Sequence, residues 1–277
     1  ALSSAASDVY KRQAADSKGF SQVGGISGSN KGTVNGESYN TGAVEAGGYG
    51  VGGIIGYNYG ESIVEHVYNK GNVTGGSQYV GGIAGKNNYY IKSDDTEVGF
   101  IENVRNEGSI NVDINQSYVG GIIGTNIGGV QQAGNIGTVK GKWYTGGIIG
   151  SNDGSENNGF INNDLFNGGT VSGTRYVGGI IGQNMGGKFS DLGNTGSISG
   201  TDNTAGLYVG GIIGYNTRAN VRFIPVITNA YNTGSVSGVG SSASGIYVGG
   251  IIGQQAYGYL TNAYTVSYTH LTLPTIR

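Results

Sequence analysis

The chain has 277 residues, 15 Lys and Arg against 17 Asp and Glu, and no cysteine, so neither a disulfide framework nor a thiolate metal site can be built. A net charge of −2, with Lys140, Lys142, Arg175 and Lys188 scattered rather than clustered, argues against nucleic acid as the main partner, because phosphate binding needs a basic stripe. No run reaches the 18 apolar residues of a membrane helix, so no direct membrane insertion is expected.

All 58 glycines lie between Gly19 and Gly258. The flanks differ in character: Leu2 to Gln13 and Val266 to Arg277 resemble peptides obtained when sequencing-adapter DNA is translated. Segments 1–18 and 265–277 are therefore expected to lie outside the fold, and the natural protein to extend further at both ends. Within 19–264 so much glycine would be entropically prohibitive unless the backbone required it, and its regular spacing says that it does.

A near-copy of Tyr-Val-Gly-Gly-Ile-Ile-Gly-x-Asn starts with Val23, Val51, Val80, Val119, Thr145, Val177, Val209 and Val248, at spacings of 28, 29, 39, 26, 32, 32 and 39 residues. A period of 26 to 32 with occasional insertions predicts a solenoid of about eight coils. Aromatic and β-branched residues cut by Gly-Gly predict short strands and exclude helix. Val80 and Ile83 are an odd number of residues apart, so a bend or bulge at Gly81-Gly82 is required to bring both inward. The second motif, as in Tyr68-Asn-Lys-Gly-Asn-Val73 and Tyr231-Asn-Thr-Gly-Ser-Val236, predicts a corner at each Asn-x-Gly followed by another strand. The predicted fold is all-β, a parallel β-helix with two or three strands per coil, right-handed by the general preference of parallel connections.

Stacking the coils places Val80, Val119, Val177 and Val209 in one interior column and Ile54, Ile83, Ile122, Ile148, Ile180 and Ile212 in another. Two polar columns follow from the same register: Asn58, Asn87, Asn126, Asn152, Asn184 and Asn216, then Asn40, Asn69, Asn106, Asn135, Asn167, Asn194 and Asn232. Identical stacked amides can bond along the axis as ladders. The tyrosines before Gly-Gly (Tyr79, Tyr118, Tyr144, Tyr176, Tyr208, Tyr247) should also stack, as a structural column or as a stripe for a sugar or partner.

Tyr-Val-Gly-Gly-Ile-Ile-Gly-x-Asn followed by Asn-Ala-Tyr-Asn-Thr-Gly-Ser-Val-Ser-Gly resembles the GLUG-motif repeats of bacterial surface proteins, including those that accompany immunoglobulin-A-specific metallopeptidases. The resemblance runs from about Val23 to Tyr264 and departs at Ser27, Ala84, Thr145 and Gln255. It implies an extracellular β-solenoid and supplies no catalytic residue.

Longer connections at about Asn87 to Glu102, Asn152 to Asp164 and Asn216 to Ile227 occupy the same arc and should emerge on one face, where solenoids commonly bind. The first joins Tyr89 and Tyr90 to Asp94, Asp95 and Glu97, which could contact a sugar or a hard cation or form an ordinary solvated loop. Arg218 and Arg222 in the third read as a cap over the coil edge. His66 is the only histidine outside the tail, and Val64-Glu-His-Val67 is not a zinc helix. No phosphate loop or nucleophile elbow is present. No catalytic, cofactor or metal residue is assigned. The sequence thus points to a non-catalytic cell-surface spacer or adhesin whose partner is a host glycan or extracellular protein. The alternatives are a polysaccharide-active β-helix enzyme using Asp94, Asp95 and Glu97 with Glu61 and Glu65, and the repeat region of a secreted surface protease.

Overall fold

The computed structural model describes residues 11–12, 21–76, 78–88, 90–91, 97–115, 117–154, 161–202, 206–240, 245–266 and 268–272. The coil that starts at Tyr79 shows the plan. Tyr79–Gly81, Ala84–Asn87, Phe100–Asn106 and Ile110–Val112 are four short strands. Each pairs in parallel with its equivalents in the coils before and after. Repetition builds four parallel sheets of eight, eight, nine and nine strands, numbered first to fourth in that order along the coil. The chain is a parallel β-helix.

Four strands per coil, rather than two or three, follow from how sharply Gly-Gly divides the first motif. Gly82 and Ile83 form a bend between the first and second strands. The glycines answer a shortage of space. A Cβ on Gly82 would run into the Gly121 carbonyl and the Asn106 amide, and one on Gly85 would sit 2.6 Å from the Val51 nitrogen and 2.7 Å from the Gly56 oxygen. First and second sheets therefore meet backbone against backbone.

That contact accompanies a division of the interior into two cores. The Val column of the first sheet packs with Val73, Ile110, Val139, Val171, Ile198 and Val236 of the fourth. The Ile column joins the second-sheet residues, among them Ile55, Ile123 and Ile149, against Val64, Ile101, Leu165, Phe189 and Ile227 of the third. Val80 and Ile83 are both fully buried, as the bend requires, but in different cores. Each such Ile contributes about 1.5–3 kcal/mol relative to exposure.

The third sheet carries a second interruption. His66, Asn103, Gln132, Asp164, Asp191, Asn229 and Asn262 have φ between 47° and 57°, one per coil, inside seven-residue strands. Asn and Asp tolerate this left-handed conformation best, and they fill five of the seven places. Each bulge lets residues three apart, such as Val64 and Val67 or Ile227 and Ala230, both face the core.

The long connections leave between the second and third sheets. In the first of them Tyr90–Ile91 and Glu97–Val98 pair as a two-stranded antiparallel ribbon. Two fourth-sheet strands, Lys11–Arg12 paired with Val44 and Glu45 and Thr269–Thr272 paired with Val236 to Val239, belong to the segments expected outside the fold.

Candidate functional site

Each of the first seven coils closes its second strand with Asn and opens the following corner with another, the eighth having Gln255 and Thr265 at these places, and the register places equivalent asparagines above one another. In the first column each Nδ2 donates to the Oδ1 of the next coil, from Asn30 through Asn58, Asn87, Asn126, Asn152 and Asn184 to Asn216, at 2.9 to 3.0 Å. In the second the chain runs from Asn40 through Asn69, Asn106, Asn135, Asn167 and Asn194 to Asn232 at 2.7 to 2.9 Å. The second-column amides also donate to the glycine carbonyl two residues on, as Asn69 does to Gly71 at 2.7 Å. All fourteen are buried. These amides are committed to one another, so they hold the coils together and are closed to a ligand.

The tyrosine column is equally continuous. Centroid separations from Tyr79 through Tyr118, Tyr144, Tyr176 and Tyr208 to Tyr247 are 5.1, 4.5, 5.1, 5.1 and 5.0 Å, with interplanar angles of 4° to 29°. Tyr49 adds a seventh ring edge-on to Tyr79, its hydroxyl 3.2 Å from that of Tyr79. Lys86 lies over Tyr79, Tyr215 packs on Tyr176, and the Arg175 guanidinium lies between Trp143 and Tyr176 at 5.1 and 4.9 Å. Burial raises the hydroxyl pKa of Tyr79, Tyr118, Tyr144, Tyr176 and Tyr208 above the ordinary value, so these five are neutral at physiological pH. Because the rings lie face to face, they offer edges and hydroxyls rather than open faces.

Of the loop residues singled out in the sequence, Tyr89, Asp94 and Asp95 lie outside the described residues. Tyr90 and Glu97 fall on the two strands of the ribbon. In the third connection the Arg218 guanidinium stacks on Tyr257 of the next coil at 3.9 Å, consistent with a cap. His66 is exposed at a bulge, 4.0 Å from Glu65. Among the described residues no group of three or more His, Asp or Glu could hold a metal, and no helix is long and apolar enough to cross a membrane.

Sequence reasoning missed the outer face of the third sheet, where two clefts of about 500 Å³ each follow the bulge column. Beside the bulges runs an outward column occupied in turn by Tyr68, Arg105, Gly134, Phe166, Gly193, Tyr231 and Tyr264. One cleft lies between Glu37 and Gly134, the other between Asp164 and Tyr264.

Residues 47–74 and 205–237 match the family of the GLUG motif. These two segments are GLUG motifs. The first runs through Gly50–Gly52, Ile55–Asn58 and Ile63–Asn69, the second through Leu207–Gly210, Ile213–Asn216 and Val226–Asn232, so one GLUG motif is one coil. The intervening coils keep the same strands and register. The motif is a repeat of surface proteins and brings no catalytic residue. No curated protein and no solved structure matches the chain.

Proposed function

We propose that the chain is a non-catalytic repeat module displayed at a cell surface, a stiff spacer that also presents adhesive faces to a glycan or an extracellular protein. The observation that carries this reading is the unbroken register across eight coils, with two amide ladders joining the first seven and a tyrosine column joining the second to the eighth. Such cross-links oppose bending and separation of the coils, as a spacer requires, and the GLUG motif supports a surface setting. The longer connections begin after the ladder residues Asn87, Asn152 and Asn216, and Tyr89, Tyr90, Asp94, Asp95 and Glu97 of the first are its candidate contacts. A glycan-array and extracellular-matrix screen on the whole chain, with and without calcium, tests the adhesive half. Capture that weakens when residues 88–98 are replaced by a short turn supports adhesion through that loop. Hydrolysis of a bound glycan would replace the reading with that of a polysaccharide-active enzyme.

A further inference from the structure

An open aromatic surface lies on the outer face of the third sheet, and Gly193 shapes it. Where neighbouring coils place Phe166 and Tyr231 in the outward column, Gly193 offers only backbone, and the Tyr231 ring folds down onto it. A Cβ at 193 would collide with that ring. Tyr231 is 41% exposed and Phe166 38%. Alongside runs the bulge column, whose left-handed residues are Asp164, Asp191 and Asn229, each exposed and on a successive coil. Asn229 donates to the Asp191 carboxylate at 2.9 Å, holding an acceptor and an amide side by side along the ring. The cleft between these columns has a volume of about 510 Å³ and spans four coils, or about 14 Å along the axis at the spacing of paired strands.

We propose that this cleft is a binding site for an uncharged oligosaccharide lying along the solenoid axis, a reading that rests on the adhesive role proposed above and places it on the third sheet. An apolar ring lying flat with acceptors and amides at its margin is complementary to a sugar, whose C–H face is apolar and whose rim carries hydroxyls. The carboxylates of Asp164 and Asp191, which accept from the neutral amides of Asn163 and Asn229, disfavour uronates and sulfated chains through like-charge repulsion. Two other aromatic surfaces among the described residues lack such a platform. In the long tyrosine column each ring covers its neighbour. In the first cleft Tyr68 stacks on Tyr39 at 5.0 Å and 6°, the Lys70 ammonium lies 5.5 Å over its ring, and Arg105 pairs with Glu107.

The test is binding of the whole chain to neutral β- and α-linked glucan, mannan, galactan and N-acetylglucosamine oligomers, measured by affinity electrophoresis and titration calorimetry. Tyr231→Ala should weaken the best ligand about tenfold, whereas Tyr231→Phe should retain binding within about threefold. Gly193→Ala, which leaves every contact group in place but lifts the ring, should approach the Tyr231→Ala value; thermal unfolding of both variants checks that the coils remain stacked. Asp191→Ala should weaken binding with Tyr231 unchanged. Binding that is indifferent to Tyr231→Ala but lost when residues 88–98 are shortened would overturn this site and leave the adhesive role standing. Absence of any neutral-glycan binding, with protein ligands still captured, would overturn the site; silence toward every ligand would remove the adhesive role as well and leave the spacer.

Discussion

Replacing one ladder amide in mid-stack, Asn135→Ala, should cost far more than an ordinary asparagine. Asn135 donates to the Gly137 carbonyl and to Asn167 Oδ1 and accepts from Asn106, each at 2.8 Å, and is fully buried. Three net hydrogen bonds are worth about 1 kcal/mol each, and stranding buried partner groups adds to that. The total is about 4 kcal/mol, which for a chain of this size lowers the midpoint by roughly 10 °C. Asn106 keeps its bond to Gly108 at 2.8 Å, so the damage falls chiefly on Asn167 Oδ1 and the Gly137 carbonyl. The control is Asn111→Ala on the exposed face of the fourth sheet, worth at most about 0.5 kcal/mol. Calorimetric and urea unfolding of both variants provide the comparison, with calorimetry showing whether the array still melts as one unit. If Asn135→Ala lies within about 1 kcal/mol of the parent, the ladder is not what joins the coils.

Three further outcomes follow from the same geometry. Thr145 stands in the Val column with its hydroxyl buried and without a hydrogen-bond partner among the described residues, so Thr145→Val should stabilise by about 1–2 kcal/mol, read as a higher urea midpoint. Gly82→Ala drives a methyl into the Gly121 carbonyl and the Asn106 amide, and should cost about 3 kcal/mol or more or prevent folding, scored by circular dichroism. Burial raises the folded-state pKa of Tyr118, Tyr144, Tyr176 and Tyr208 above the ordinary phenol value of about 10. Their contribution is therefore complete below pH 10 and is lost as pH rises from there through the folded values. Alkaline unfolding with simultaneous phenolate absorbance from the column should result, and Tyr144→Phe should make the loss less steep; a Tyr144→Phe difference spectrum showing phenolate at pH 10 in a still-folded chain would contradict the burial argument.

The periodic features were legible because the chain repeats them in identity as well as in spacing. The two interior columns and the Asn ladders could be read from Val80, Ile83, Asn87 and Asn106 and their equivalents. The first ladder begins one coil earlier than that reading, at Asn30, where Ser27 interrupts the Ile-Ile-Gly signature but the spacing from Val23 is intact. The bulge column escaped notice because its members differ: His66, Gln132, Asp191 and Asn229 share a backbone conformation and no side-chain chemistry. Its signal was the odd offset of Val64 and Val67, the same argument that located the Gly81-Gly82 bend. The third-sheet cleft escaped for a related reason, since Gly193 looks like one more glycine until the Tyr231 ring is found lying on it. The four-strand coil was compressed to two or three because Gly-Gly was read as a kink within a strand rather than as the junction of two sheets.

A whole-coil deletion probes the stacked register and the spacer role together. Val119 pairs with Thr145, so excising residues 119–144 removes one turn and brings Val80 onto Thr145 with the ladders re-joined, Asn87 to Asn152 and Asn106 to Asn167. Small-angle X-ray scattering on this variant should show a folded particle shortened along its axis by about 4.8 Å, with unfolding still cooperative. A collapsed or unfolded variant, or one whose length is unchanged, would contradict the picture of interchangeable coils stacked as a rigid module.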